Sequence, residues 1–397
     1  CLFFLVNFWK ISIDMSDVYC PTKFKELQVH VQSRLLYNCC KAWPERIDLD
    51  WLENNPGKLF YTPTMIADRK LMLEGKRSKS CEHGCYQYED QGLTSARNQA
   101  NDKKIIDVYN PLETLQISLS NDCNLTCAYC SREWSTAWHR DIDKNGEYNI
   151  EGYKNKNDKW SELWRKIKQK DRSTDTRFFK LLCNEISLNP HIKNIKILGG
   201  EPLLHNHLHK ILDIATDKKI KITSGLGVDI QRLKKITDYI KDNKNISFDV
   251  SAEGTGDIFE FVRYGAHWND FLQKIDYIKN TGIMIDFLSV ISNITSFGIV
   301  SFYDMFNDQH KITYNPVTDR SFLQPNILDD LSKQNLLDSI KDKMDNKFFL
   351  QLKQSVSQEY SDSERKKLSV FLKEFARRRK LKLDIFPVHF LKWLDLN

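Results

Sequence analysis

A chain of 397 residues is too long for one small domain and allows two domains, or one barrel with additions. Hydrophobic residues at 41% and aromatics at 12% supply a sizeable core, and charged residues at 28% argue against disorder as the main state. The net charge of +6 does not by itself imply nucleic acid, and no apolar run approaches the roughly 18–20 residues that span a bilayer.

The opening, Cys1 to Ile13, is apolar but short, with no basic start and no small-residue cleavage site, so it makes a poor signal peptide. Met15 is the expected start, which makes residues 1–14 an upstream extension. A cytoplasmic protein is expected. In that setting ten cysteines favour metal binding over disulfides. Five lie between Cys20 and Cys85, three fall within residues 123–130, and Cys183 stands alone.

Residues 15–110 read as a small irregular domain. Leu27–His30 and Leu35–Tyr37 look like strands of a hairpin, Asn54–Gly57 is a turn, and Ile66–Leu73 a short helix. With so few long periodic segments, the region is expected to need a metal. From residue 111 strands and helices alternate. Strands are predicted at Leu115–Leu119, Ile192–Leu198, Ile220–Thr223, Ile246–Val250, Ile283–Ile291 and Ile312–Val317. Between them, helical spacing marks Phe178–Ile186 (with Asp175 as N-cap), Leu204–Ala215, Ile230–Ile240, Trp268–Ile278 and Phe297–Phe306. Six βα-like units predict a parallel barrel or doubly wound sheet over residues 111–320, with its ligand at the carboxyl ends of the strands. Ser131–Thr174, carrying Trp134, Trp138, Trp160 and Trp164, reads as one long polar loop. Residues 321–397 read as a charged helical extension.

The segment Cys123–Asn124–Leu125–Thr126–Cys127–Ala128–Tyr129–Cys130 is a C-x3-C-x2-C loop directly after the first strand of this series. Three thiolates on so short a loop can each reach a different iron of one cubane, leaving the fourth iron open to a substrate or cosubstrate. Zinc would want a fourth ligand, and a redox C-x2-C would leave Cys123 unexplained. Gly199–Gly200–Glu201–Pro202 ends the second strand. Its glycines permit close backbone approach, and Glu201 can accept from an ammonium group.

These two motifs, on consecutive strands and in this order, resemble the radical S-adenosylmethionine (SAM) superfamily over roughly residues 112–320. The resemblance implies a partial (β/α)6 barrel and a [4Fe–4S] cluster on Cys123, Cys127 and Cys130. It implies that Gly199, Gly200, Glu201 and Pro202 bind the amino group of SAM, and that Tyr129 lies near the adenine. Ser251 and Glu253 follow the fourth strand, where relatives bind the ribose, and Arg263 could pair with the SAM carboxylate. Ser224 departs from the Asn that relatives often carry there. The implied chemistry is one-electron cleavage of SAM to methionine and a 5′-deoxyadenosyl radical, which takes a hydrogen atom from the substrate. The electron would come from a donor such as flavodoxin or ferredoxin.

Cys20, Cys39, Cys40, Cys81 and Cys85 form a second pattern: a cysteine, a hairpin, a Cys-Cys pair, then C-x3-C after a helical stretch. It resembles the twitch domain, a shortened SPASM domain that holds one auxiliary [4Fe–4S] cluster, here placed before the barrel. Cys20, Cys39, Cys81 and Cys85 are the expected ligands, with Cys40 in reserve; zinc or free buried thiols are the alternatives. Cys183 is expected in the core. His205, His207 and His209 do not share a helix face and read as polar capping and surface residues. The run Arg377–Lys380 reads as a solvated face, with an RNA contact as the alternative. Trp134 and Trp138 could line a substrate entrance or pack as a lid.

The expected function is radical modification of a peptide or protein side chain. Modification of a nucleotide, tRNA base or other small metabolite is the alternative, and a non-enzymatic iron–sulfur or zinc protein a third possibility.

Overall fold

The computed structural model describes residues 18–90, 92, 95–100, 107–150, 176–317 and 320–396. Residues 1–14 with Met15, the expected N-cap Asp175, and Trp160 and Trp164 lie outside them. Two compact units emerge: Cys1–Gln116 with Asp175–Ile195, and Ile117–Thr174 with Lys196–Asn397. The first unit thus takes in residues 175–195 as well as the N-terminal part, and the second includes residues 321–397.

In the first unit β1 (Glu26–His30), β2 (Leu35–Tyr37) and β3 (Glu45–Arg46) form an antiparallel meander with Val29 opposite Leu36. The turn between β1 and β2 is closed by Arg34 in the left-handed region, at φ 57°. Helix Leu49–Asn54, which the sequence reading lacked, starts at Asp48, whose carboxylate accepts from the Asp50 and Trp51 amides. Helix Pro63–Leu73 begins three residues before the expected Ile66, because Thr62 caps it and Pro63 fits its first turn. Its Arg69 is fully buried and donates to the carbonyls of Lys23, Phe60 and Val108. Helix Thr176–Leu188 brings Glu185 to the Gly57 and Leu59 amides at 2.5 and 2.9 Å. Phe178, Phe179, Leu182 and Ile186 take its buried face, which leaves Cys183 half-buried and not in the core.

In the second unit the strand order is β4 (Thr114–Ser118), β5 (Asn194–Leu198), β6 (Lys219–Ser224), β7 (Ile246–Ser251), β8 (Met284–Ile291), β9 (Ile312–Pro316); the unit boundary falls within β4 and β5. The pairs β6–β7, β7–β8 and β8–β9 are parallel. This mixed α/β sheet, six strands in sequential order, is consistent with a partial barrel. On β8 burial alternates, with Ile285, Phe287, Ser289 and Ile291 inward of one face and Asp286, Leu288 and Val290 on the other.

Two helices of this unit were not expected, and a third, expected over Leu204–Ala215, spans only Leu208–Ile214. The long loop contains helix Thr136–Asn145, capped by the Ser135 hydroxyl at the Trp138 amide. Gly256–Val262 forms a short helix before Arg263. The helical tail comprises Asp330–Ile340, Asn346–Val356, Asp362–Arg379 and Val388–Trp393. Its Phe371, Phe375, Phe386 and Phe390 share one apolar core with Ala128, Trp138, Tyr148 and Phe261. Burying side chains of this size contributes on the order of 2 kcal/mol each, so the tail is a structural part of the site described next.

Candidate active site

The cysteine loop leaves β4 and is tied down at nearly every residue. The Cys123 carbonyl accepts from the Thr136 hydroxyl and the Ala137 amide at 3.0 and 3.1 Å. Ser135 Oγ donates to the Leu125 carbonyl at 2.7 Å, and Trp138 Nε1 to the Cys127 carbonyl at 2.9 Å. The Thr126 and Ala128 amides donate to the carbonyls of Tyr264 and Val262. Trp138 is 1% exposed, so it is packing beneath the loop and not an entrance residue. The three thiols project from this fixed backbone. Burial pushes Cys123 up to about 12 and raises Cys127 and Cys130 as well; Arg263 opposes the rise at Cys127, and Arg320 at Cys130.

The Gly-Gly-Glu-Pro turn abuts the start of this loop. Gly199 has φ +133°, and a Cβ there would sit 2.7 Å from the Ser120 carbonyl oxygen; one on Gly200 would sit 2.3 Å from that of Asp122. The glycines thus make room for the chain's own backbone at 120–122, to which the Gly200 and Glu201 amides donate at 3.0 and 2.7 Å. Glu201, 2% exposed, accepts from Ser224 Oγ (2.7 Å) and from the amides of Leu203 (3.2 Å), Gly225 (3.1 Å) and Gly227 (3.2 Å). Burial raises its pKa against these four donors. Ser224 gains a role here that its sequence position left open, since its oxygen also accepts from the Leu226 amide. Pro202 starts the short turn Pro202–Leu204 and is buried.

The half-buried Tyr129 joins the buried Glu253 and Arg263 in one cluster. Arg263 Nε and Nη2 donate to Glu253 Oε2 and Oε1 at 2.8 Å each, in a bidentate pair. Arg263 Nη2 also donates to Tyr129 Oη at 2.6 Å, and that hydroxyl donates to Glu253 Oε1 at 2.9 Å. Arg263 Nη1 points at Cys127 Sγ, 3.8 Å away. Burial alone would weaken the Arg263 charge, but Glu253, then Tyr129 and Cys127, hold its pKa well above the ordinary value. Ser251 is half-buried at the carboxyl end of β7. The structure therefore brings together the cysteine loop, residues 199–202, Tyr129, Glu253 and Arg263, with the Arg263 guanidinium already paired within the protein. Sequence reasoning missed Ser135, Thr136 and Arg320 as partners of the loop; only the closeness in sequence of Ser135 and Thr136 to Cys130 could have signalled any of them.

Of the N-terminal cysteines, Cys20 and Cys81 share one small apolar cluster. Cys20, Cys81 and Cys85 are buried, Cys39 is half-buried and Cys40 exposed. Burial raises the Cys20 and Cys81 thiols, and Cys85 raises both further. Cys39 is raised first by its hydrogen bond with Cys40, then by burial, and also by Cys20. The Cys81–Cys85 turn packs on the segment after Cys40, for a Cβ on Gly84 would lie 2.4 Å from the Lys41 carbonyl oxygen. The Trp43 amide donates to the Ser80 carbonyl at 2.7 Å. Beneath them the wholly buried Lys23 donates to Asp68 (2.8 Å), Ser78 (2.9 Å) and Ser80 (2.5 Å). Among the described residues no three His, Cys, Asp or Glu side chains converge tightly enough for a single metal ion. Thiolates of a cubane each take a separate iron and need not converge.

His205 accepts from the His207 amide at its Nδ1, and burial lowers its pKa to about 4. Among the described residues no helix is long and apolar enough to cross a membrane.

A probable GTP 3′,8-cyclase of Methanocaldococcus jannaschii is 28% identical over 191 residues, covering 46% of this chain and 52% of that protein. The chain thus matches about half the length of this curated relative. The solved structure of native anSMEcpe with bound AdoMet matches at 15% identity and TM-score 0.39, over 58% of this chain and 60% of that one. Streptococcus suis SuiB bound to precursor peptide SuiA matches at 13% identity and TM-score 0.34, over 91% and 70%. Residues 117–304 match the radical SAM superfamily, and the cysteine loop and Gly-Gly-Glu-Pro turn both lie inside that segment.

Proposed function

We propose that this protein reductively cleaves SAM and uses the resulting radical to abstract hydrogen from a peptide or protein side chain. The observation that carries the reading is the cysteine loop, fixed along its backbone, abutting the Gly-Gly-Glu-Pro turn at the carboxyl ends of β4 and β5. The residues fit the implied group: three thiols on one short loop, with no fourth cysteine beside them in sequence to close the set. A [4Fe–4S] cluster on Cys123, Cys127 and Cys130 would supply the electron and an open iron for SAM.

The chain's own residues prepare that site. Arg263 lies against Cys127, and a donor of fixed positive charge stabilises a thiolate there. With its other edge committed to Glu253 and Tyr129, Arg263 is proposed as a thiolate partner in place of the SAM-carboxylate role. Glu253 and Tyr129 orient it, and Ser251 remains the proposed ribose contact. Gly199–Pro202 remain the proposed amino-group site, with Glu201 acting by holding the 224–227 turn. The buried aromatic floor of Trp138, Tyr148 and Phe261 keeps water from the loop. Flavodoxin or ferredoxin is the proposed electron donor.

Cys20, Cys39, Cys81 and Cys85 are proposed to hold an auxiliary [4Fe–4S] cluster in a twitch-like domain. Such a domain accompanies peptide-modifying relatives in the family resemblance, which supports the peptide substrate. The basic run that favoured an RNA contact is buried at its centre: the side chains of Arg378 and Arg379 are 2% and 3% exposed, while Arg377 and Lys380 face water. The likeness to a probable GTP 3′,8-cyclase favours a nucleotide as the second reading.

Anaerobic reconstitution with iron counting and a SAM-cleavage assay tests this. Two clusters predict roughly eight irons, falling to four in the Cys123→Ala/Cys127→Ala/Cys130→Ala variant, with 5′-deoxyadenosine formed by the parent alone. A parent that binds iron under strong reductant and never cleaves SAM would overturn the reading.

A further inference from the structure

The run Arg377–Arg378–Arg379–Lys380 closes helix Asp362–Arg379. Its two ends face water: Lys380 is exposed, and the Arg377 side chain is 65% exposed and pairs with Glu374 of its own helix. Arg378 packs its guanidinium 4.0 Å from the Tyr148 ring centre, between Glu374 and Asp141. Arg379 lies over the Phe375 ring at 3.8 Å and reaches the cysteine loop. Its Nε donates to Thr126 Oγ1 at 3.0 Å, its Nη1 to Tyr148 Oη at 3.0 Å, and its Nη2 lies 3.6 Å from Asp141 Oδ2. Thr126 sits between two of the three cysteines, and its amide is bound to the Tyr264 carbonyl at 3.0 Å.

A second arginine holds the other end of the loop. Arg320, 9% exposed, donates from Nη1 to the Ala128 carbonyl at 3.1 Å and from Nη2 to the Cys130 carbonyl. Arginine suits this work, because its rigid planar fork binds two acceptors at once and cannot lose its charge. Removing charged groups from water is costly, so two buried arginines converging on eight residues need a purpose beyond packing.

We propose that Arg379 and Arg320 are positioning residues for the cysteine loop, through which the helical C-terminal segment sets the spacing of the three thiols. The proposal rests on the radical SAM reading of that loop. It makes the tail part of the cluster site.

Full-length Arg379→Met, Arg320→Met, Arg379→Lys and Thr126→Val are compared with Arg377→Met as the surface control. Three readouts are taken: iron release to a chelator, the electron paramagnetic resonance spectrum of the reduced protein with and without SAM, and amide exchange at residues 124–130 in cluster-free protein. Arg379→Met and Arg320→Met should hold iron about 10-fold less tightly, broaden the spectrum and speed exchange across the loop. Arg379→Lys should recover part of this, and Arg377→Met should match the parent. Should Arg379→Met fail to fold, Thr126→Val decides for Arg379, since it removes the acceptor without touching the tail; should Arg320→Met fail, Arg320→Lys, which keeps the charge and loses the fork, decides for Arg320. Loop exchange and chelator release equal to those of Arg377→Met would overturn the proposal. A parent whose loop takes up no iron defeats the radical SAM reading, and the exchange measurement still decides the clamp.

Discussion

The barrel's cysteine loop occupies eight consecutive residues, whereas the N-terminal cysteines are drawn from three segments spread over residues 20–85. The first group is held by its backbone: carbonyls at 123, 125, 127, 128 and 130 all receive donors from elsewhere in the same unit. The second is held from beneath, by Lys23 joining Asp68 of helix Pro63–Leu73 to Ser78 and Ser80 beside Cys81. A contiguous motif needs only local geometry plus clamps. A dispersed one needs its tertiary fold before the thiols meet at all, so a metal there would be coupled to folding. The difference teaches why spacing alone fixes the ligand set of the first group, whereas in the second it leaves Cys39 and Cys40 to be separated by packing.

Three perturbations would break or sharpen that contrast. The largest effect is expected at the Cys39–Cys40 pair. Cys39→Ser should remove about four irons, while Cys40→Ser, changing an exposed thiol, should keep them. Iron counting after reconstitution separates the two, and equal loss would show that the pair cannot be split between ligand and reserve. Next comes Lys23→Met, which leaves Asp68 facing a buried gap; loss of one partner of such a pair costs about 3–5 kcal/mol. Urea unfolding of the metal-free protein would measure it, and Lys23→Met/Asp68→Leu should recover much of the loss. A Lys23→Met midpoint equal to the parent's would mean that the dispersed site does not depend on this support.

The smallest effect is on the tail. Hydrogen bonds from Arg377, then Arg378, hold Glu374 down at about 2, below its ordinary 4.5. The folded carboxyl is depressed, so the stability it contributes is present above pH 4.5 and is lost as pH falls toward 2. For a partly exposed pair this is at most about 1 kcal/mol. Thermal melts of Glu374→Gln should show a shallower decline than the parent across that window; parallel curves would exclude the contribution.

Much of the second unit was legible because its strands carry clean patterns. Ile283–Ile291 and Ile246–Val250 alternate or run apolar, and both appear within one residue of the expected bounds. Helix Ile230–Ile240 was legible from its apolar spacing, with Asp229 supplying the cap. Helix Thr136–Asn145 was not, because its apolar residues are few; its burial rests on Trp138 and Ile142 meeting the tail. The same holds for the arginines. Nothing in the run Arg377–Lys380 tells which members face water, since that depends on where Asp141 and Tyr148 lie in space.

The sequence by itself determined the chemistry-bearing parts: the C-x3-C-x2-C loop, the Gly-Gly-Glu-Pro turn and the βα series. Their information is local, carried by spacing, glycine and hydrophobic period. Only the tertiary structure decided that Glu201 is saturated by its own chain and that Arg263 turns to Glu253 and Cys127. It alone brought the tail's Arg379 to the cysteine loop. Most of those contacts join residues 10 to 253 positions apart, and a buried charge takes whichever partner the fold brings within reach.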